Sequence, residues 1–192
     1  MDEIEAQLVE RARRGEAEAF RRLVERHSPR LFRLAFRITG DEQAAEDAVQ
    51  EALLRAYRAL PRFDARSQFG TWLHRIAVNA ALELARKGRH HAHEEGVAGM
   101  DEAAPLPSPE PGPDRRAEGL EVERAVRSAL AELSPMERTA FVLRHFEDRS
   151  IAEICGVLGI GQSAGKQAIF RAVKKLRKVL EPWMARQYET SQ

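Results

Sequence analysis

The chain has 192 residues, 43% of them apolar but only 6% aromatic, so it can bury a real core and that core must be mostly aliphatic. Its 31 Lys and Arg against 30 Asp and Glu leave a net charge of +1, which excludes a uniformly basic nucleic-acid coat and confines any DNA-binding face to a local patch. A single cysteine excludes an internal disulfide and a cysteine-cluster zinc site, and no apolar run approaches the roughly 18 residues that span a bilayer.

The N-terminus, Met1-Asp2-Glu3-Ile4-Glu5, is acidic and lacks a hydrophobic signal segment, so a cytoplasmic protein is expected. Phe20, Leu23, Val24, Leu31, Leu34, Ala35 and Ile38 follow helical spacing, with Pro29 expected to kink or restart the helix after Ser28. Gly40 suits the end of that helix and Asp41 the N-cap of the next. The second helix carries Ala45, Ala48, Val49, Ala52, Leu53, Ala56, Tyr57 and Leu60 on its apolar face. Its polar side holds Asp47, Gln50, Glu51 and Arg55, which by spacing alone read as a solvated face with a Glu51–Arg55 pair. The segment from Pro61 to Arg66 precedes a third helix through Phe69, Trp72, Leu73, Ile76, Ala77, Ala80 and Leu84. Trp72, just after the polar loop Asp64-Ala65-Arg66-Ser67-Gln68, fits a core position, and an aromatic there can also stack on an unpaired base. Arg75, Asn79 and the end Arg86-Lys87-Gly88-Arg89 fit a nucleic-acid contact or an ordinary cation-rich helix C-terminus equally well.

From Gly88 to Gly119 the composition changes. Pro105, Pro107, Pro109, Pro111 and Pro113 alternate with other residues, and acidic residues outnumber basic ones. Such a segment buries almost nothing and reads as a linker. His90, His91 and His93 at its start read as a solvated patch; no metal or other cofactor is expected.

The C-terminal stretch is again helical. Ser134-Pro135-Met136-Glu137 and Ser150-Ile151-Ala152-Glu153 are capping boxes, the first with proline at the first helical position. The helix from Ser150 to Leu158, a turn at Gly159-Ile160-Gly161 and a longer helix from Gln162 or Ser163 to about Leu180 match a helix-turn-helix. Pro182 is expected to end the last helix. That helix carries Lys166, Arg171, Lys174, Lys175, Arg177 and Lys178 without an acid, opposite Ile169, Val173, Leu176 and Leu180, which suits a major groove. Cys155, near Ile151, Ile154 and Leu158, reads as a small core residue. No strand pattern, phosphate loop or catalytic constellation stands out. The expected fold is therefore all-α: two small helical modules, 1–87 and 120–192, joined by a flexible linker, 88–119, and no enzyme is expected.

Asp47-Ala48-Val49-Gln50-Glu51, Arg55-Ala56-Tyr57-Arg58-Ala59-Leu60, Phe63 and Thr71-Trp72-Leu73-His74-Arg75-Ile76-Ala77-Val78-Asn79 closely resemble region two of the extracytoplasmic-function sigma factors of bacterial RNA polymerase. Leu133-Ser134-Pro135 through Arg138, Ile154, Leu158-Gly159-Ile160, Lys166, Ile169-Phe170-Arg171-Ala172 and Lys174-Lys175-Leu176-Arg177 resemble their region four. The resemblance implies a protein without catalytic activity that binds core RNA polymerase, directs it to promoters and helps open the duplex. It places Asp47, Gln50, Glu51 and Arg55 on the coiled coil of the largest polymerase subunit, and region four on the flap of the second-largest. It assigns the minus-10 element to Asp64, Arg66, Trp72, Arg75, Asn79, Arg86 and Lys87, with the Asp64–Gln68 loop capturing a flipped base. It assigns the minus-35 element to Gln162, Ser163, Lys166, Gln167, Phe170, Arg171 and Lys174, and it implies an anti-sigma partner. The chain departs from the pattern at Ser163-Ala164-Gly165, where the family usually has Gly-Thr-Val, at Ala168, usually arginine, and mildly at Glu83, usually aspartate. Weak or altered minus-35 recognition is the expected consequence. A polymerase-independent helix-turn-helix regulator and a degenerate sigma acting as an interaction protein are the rival readings.

Overall fold

The computed structural model describes residues 3–64, 67–94, 126 and 128–189, all helix or short connection, with no strand among them. They form two compact units, Met1–Met100 and Asp101–Gln192. Arg66, most of the proline-rich linker and the side chains of His90, His91 and His93 lie outside the described residues.

The first unit contains α1 (Glu3–Arg13), α2 (Ala17–Thr39), α3 (Glu42–Ala59), a 3-10 turn (Leu60–Arg62) and α4 (Phe69–Glu94). Gly40 ends α2 in the left-handed region, φ 78°, and donates its N–H to the Phe36 carbonyl. Asp41 then caps α3, its carboxylate accepting the Ala44 N–H at 2.6 Å. On α3 the fully buried positions are alanines, Ala45, Ala48, Ala52 and Ala56, which let this helix sit close against α2 and α4. Leu23, Leu34 and Ile38 of α2 and Phe69, Leu73 and Val78 of α4 complete the core. Each such side chain contributes about 1.5–3 kcal/mol by leaving water. α1 carries too short an apolar pattern to be expected from the sequence. It buries Leu8, Val9 and Ala12, and the carboxylate of its buried Glu5 lies within hydrogen-bond reach of His27 Nε2, 2.8 Å from Oε1.

Three expectations fail here. Pro29 does not restart α2, which runs continuously through it. The lost N–H would have bonded the carbonyl of Glu25; both residues are exposed, so water can take that carbonyl while Leu23 and Leu31 anchor the helix on either side. α4 does not stop near Arg86-Lys87 but continues through exposed Gly88 to Glu94. Tyr57 is not core: it is half exposed, with its ring meeting Phe20 edge-on at 5.0 Å.

The second unit has helical residues 128–131, α5 (Pro135–His145), α6 (Ile151–Leu158) and α7 (Gln162–Glu189). Both expected capping boxes form: Ser134 with Glu137 and Ser150 with Glu153 each exchange two hydrogen bonds. Gly159, φ 65°, closes α6 by donating to the Cys155 carbonyl. Ala129, Leu130, Leu133, Ala172 and Leu176 form one core cluster, flanked by Val126, Phe141, Val179 and Leu180. Pro182 does not end α7, which continues to Glu189. The carbonyl that proline leaves unbonded belongs to exposed Lys178 and is open to water.

Lys175 also departs from expectation. Instead of joining the basic face, its Nζ donates to Glu137 Oε2 at 2.7 Å and to the Glu132 carbonyl at 3.4 Å. The Glu137 side chain is 10% exposed and the Lys175 side chain 45%. Burial pushes the Glu137 carboxyl up, but Lys175 and the Ser134 N–H outweigh it and hold the group below the usual carboxylate value of 4.5. A native value depressed below 4.5 means stability fully present above pH 4.5 and lost as pH falls below it through the lower native value. Glu137→Gln keeps an acceptor for Ser134 while removing the charge. It is expected to cost about 1 kcal/mol near pH 7. In thermal denaturation the gap to the unaltered protein should close as pH falls from roughly 5 to 3.

Candidate nucleic-acid interface

Three faces carry the residues singled out from the sequence. On α3, Asp47 and Gln50 are exposed and Glu51 is half-buried. Arg55 is committed inside the protein. Its Nε donates to Glu51 Oε1 at 2.7 Å, one turn back, and its two Nη atoms grip Glu83 of α4 at 3.1 and 2.7 Å. The bonds to Glu83 and then Glu51 raise the guanidinium further above its ordinary value, so it is always charged. Arg55 in turn lowers Glu83, against the cost of burial, with Lys87 and Arg86 adding to the effect. The Glu51–Arg55 pair was readable from spacing; the fork to Glu83 was not. Arg55→Ala and Glu83→Ala should show a coupling of about 1 kcal/mol in a double-mutant cycle of urea unfolding, the pair being part-exposed.

On α4 the first turn leans on an aromatic cluster. Trp72 is half-buried, its ring 4.8 Å from Phe63 and 5.7 Å from Phe69, so it is both a wall of the core and a surface at the end of the polar loop. The Trp72 backbone N–H donates to the Gln68 carbonyl at 3.0 Å, fastening the loop to the helix start. Asp64 and Arg75 are exposed and Asn79 half-buried; Arg86 and Lys87 are exposed farther along α4. Phe63 and Phe69, both buried, back the Trp72 ring from the core side.

On α7 the seven candidates Gln162, Ser163, Lys166, Gln167, Phe170, Arg171 and Lys174 are all exposed, Phe170 at 68%. Gly165, Ala168, Ala172 and Leu176 are buried on the opposite side. The helix therefore offers one outward face with cations, amides and an aromatic ring, and no acid between Gln162 and Leu180.

The model of sigma-70 region 2 matches residues 23–91, and that of sigma-70 region 4 matches residues 123–176. The chain is 36% identical to the RNA polymerase sigma-H factor of Pseudomonas aeruginosa over 188 residues, covering 94% of this chain and 95% of that one. It is also 34% identical to the ECF RNA polymerase sigma factor SigM of Mycobacterium tuberculosis, covering 86% of this chain and 79% of the relative. The chain belongs to the extracytoplasmic-function sigma factors. As a member of that family it is a promoter-directing sigma factor of bacterial RNA polymerase.

Among solved structures, CnrH in complex with the cytosolic domain of CnrY superposes with a TM-score of 0.62 at 28% identity, covering 94% of this chain and 99% of that one. RpoE of Bartonella quintana, solved with the anti-sigma factor NepR, shares the fold with a TM-score of 0.64 at 24% identity, covering 86% and 98%. In this sigma factor the departures at 164–168 now have positions. Ala164 is exposed, whereas Gly165 and Ala168 face the helix pair. Ala168 thus sits where a longer side chain would have to emerge from the interior. No described helix is long and apolar enough to cross a membrane, and no group of described residues is arranged to hold a metal ion.

Proposed function

We propose that this sigma factor divides its work among the three faces. Asp47, Gln50 and Glu51 on α3 dock on the coiled coil of the largest polymerase subunit. Arg55, held by Glu51 and Glu83, acts as the brace that fixes Glu51 and ties α3 to α4 instead of reaching the partner itself. Asp64, Arg66 and Trp72 capture a base flipped from the minus-10 element, while Arg75, Asn79, Arg86 and Lys87 hold the adjoining bases and phosphates. Gln162, Ser163, Lys166, Gln167, Phe170, Arg171 and Lys174 read the minus-35 element in the major groove. The second unit also docks on the flap of the second-largest subunit. The protein works in the cytoplasm, catalyses no reaction of its own, and is held by an anti-sigma partner until a signal releases it. The modules are 1–87 for polymerase and minus-10 binding, 88–119 for the linker, whose first residues to Glu94 continue α4, and 120–192 for minus-35 reading.

The observation that carries this reading is the outward face of α7: every residue assigned to the minus-35 element is exposed, and the buried residues of that helix lie opposite. Run-off transcription tests it. Sigma-free core polymerase, this protein and promoter-bearing fragments should yield discrete start sites that share two upstream elements. A protein that binds duplex DNA alone and yields no starts with core polymerase would instead be a free-standing regulator.

A further inference from the structure

We infer that Gly165 and Cys155 form a matched steric pair that seats the recognition helix of the minus-35 reader, so that Gly165 is a positioning residue and not a defect. The inference rests on α7 being that reader. Gly165 is buried on the inner side of α7, one residue before Lys166 and Gln167. A Cβ placed on it would stand 2.5 Å from Cys155 Sγ, closer than non-bonded atoms tolerate, and 3.9 Å from Ile160 Cδ1, an ordinary contact. Cys155 is buried in α6, and its thiol lies 3.6 Å from the Gly161 carbonyl at the turn into α7, where it can donate. The sulfur therefore occupies the volume that a side chain at 165 would need. The Cys155 and Gly165 positions are complementary: a larger residue on one helix demands a smaller one on the other.

A side chain at 165 has two ways out, one that unseats Cys155 and one that moves the reader. Cys155 can be driven off its site beneath the turn, or the first turns of α7 can be lifted off α6. Lys166 and Gln167 directly follow Gly165, so lifting that turn displaces the side chains nearest the bases. Helix propensity pulls the opposite way, because alanine is the better helix former by about 1 kcal/mol in an unpacked helix. The sign of a glycine-to-alanine change therefore reports which effect governs the site.

The test uses the full chain with core polymerase. It compares Gly165→Ala, Gly165→Val, Cys155→Ala and the double variant Cys155→Ala/Gly165→Ala. Two templates are needed: a promoter shown to depend on its minus-35 element with the unaltered protein, and a pre-opened template carrying the minus-10 element alone. Gly165→Val should lower initiation about tenfold or more on the first and leave the second unchanged, the loss expected for overpacking a tight site. Gly165→Ala should lower the melting temperature of the otherwise unaltered protein, yet raise it in the Cys155→Ala background. The double variant should recover minus-35-dependent initiation to within about threefold and should select the same minus-35 bases from a randomised pool. The pair is refuted if Gly165→Ala is stabilising by itself, if Gly165→Val initiates normally, or if the double variant is no better than Gly165→Ala. If the unaltered protein initiates with no minus-35 dependence on any promoter, the failure belongs to the assignment of α7, not to the pair. The melting temperatures then still decide the steric claim.

Discussion

Phe69→Ala is expected to destabilise the first unit by about 3–5 kcal/mol, the range for emptying a buried aromatic site. Phe69 is 1% exposed, with its ring 5.5 Å from His27, 6.0 Å from Phe63 and 5.7 Å from Trp72. His27 is itself joined to Glu5 of α1, so the same ring lies where α1, α2 and α4 meet. Deleting it opens a cavity under Trp72 and loosens the polar loop just ahead of α4. Since whole domains are stable by only about 5–15 kcal/mol, this is a large share. Urea unfolding followed by circular dichroism measures the loss. Duplex melting should fail at temperatures where Phe69→Leu still works, because the smaller hydrophobic change leaves most of the contact in place. A cost below about 1 kcal/mol would mean that the aromatic cluster does not anchor the loop.

The double variant Lys166→Ala/Arg171→Ala should abolish most minus-35-dependent initiation. Both side chains are exposed on α7, so the fold should change by less than about 0.5 kcal/mol. A contact to a base edge is worth about 1–3 kcal/mol and a phosphate contact adds a salt-dependent share, so the pair predicts a loss of roughly 100-fold. The salt dependence of promoter binding by the polymerase complex should also flatten, its log–log slope falling by about 2. Initiation on a pre-opened minus-10 template should be unaffected. Equal losses on both templates would place these cations outside minus-35 reading.

How much of this was legible in advance depended on the distance over which each feature is decided. The Asp41 cap, the capping boxes at Ser134 and Ser150 and the left-handed glycines Gly40 and Gly159 all form as expected, because each involves residues within about one turn. The three apolar stripes were readable for the same reason, since helical spacing brings residues on one face together. α1 escaped notice because its short apolar pattern, Leu8, Val9 and Ala12, sits among charges that look like a solvated start. The outward face of α7 was legible too, because a run of cations without an acid stands out against apolar positions at helical spacing.

What a string of residues left open was set by neighbours far away along the chain. Neither proline ended its helix: Pro29 and the Glu25 carbonyl it leaves unbonded are exposed, and the carbonyl that Pro182 leaves unbonded belongs to exposed Lys178, so water can take both. Arg55 read as a partner of Glu51 alone, yet it also grips Glu83, 28 positions away, and Lys175 is spent on Glu137, 38 positions away. Gly165 looked like a flaw until Cys155 was found in the space its side chain would fill. Local hydrogen bonding and periodicity choose where helices begin and which face is apolar, since those energies depend on adjacent residues. Which side chain meets which across two helices depends on the packed arrangement, where volume must be filled once and charges must find partners that the chain order does not bring near.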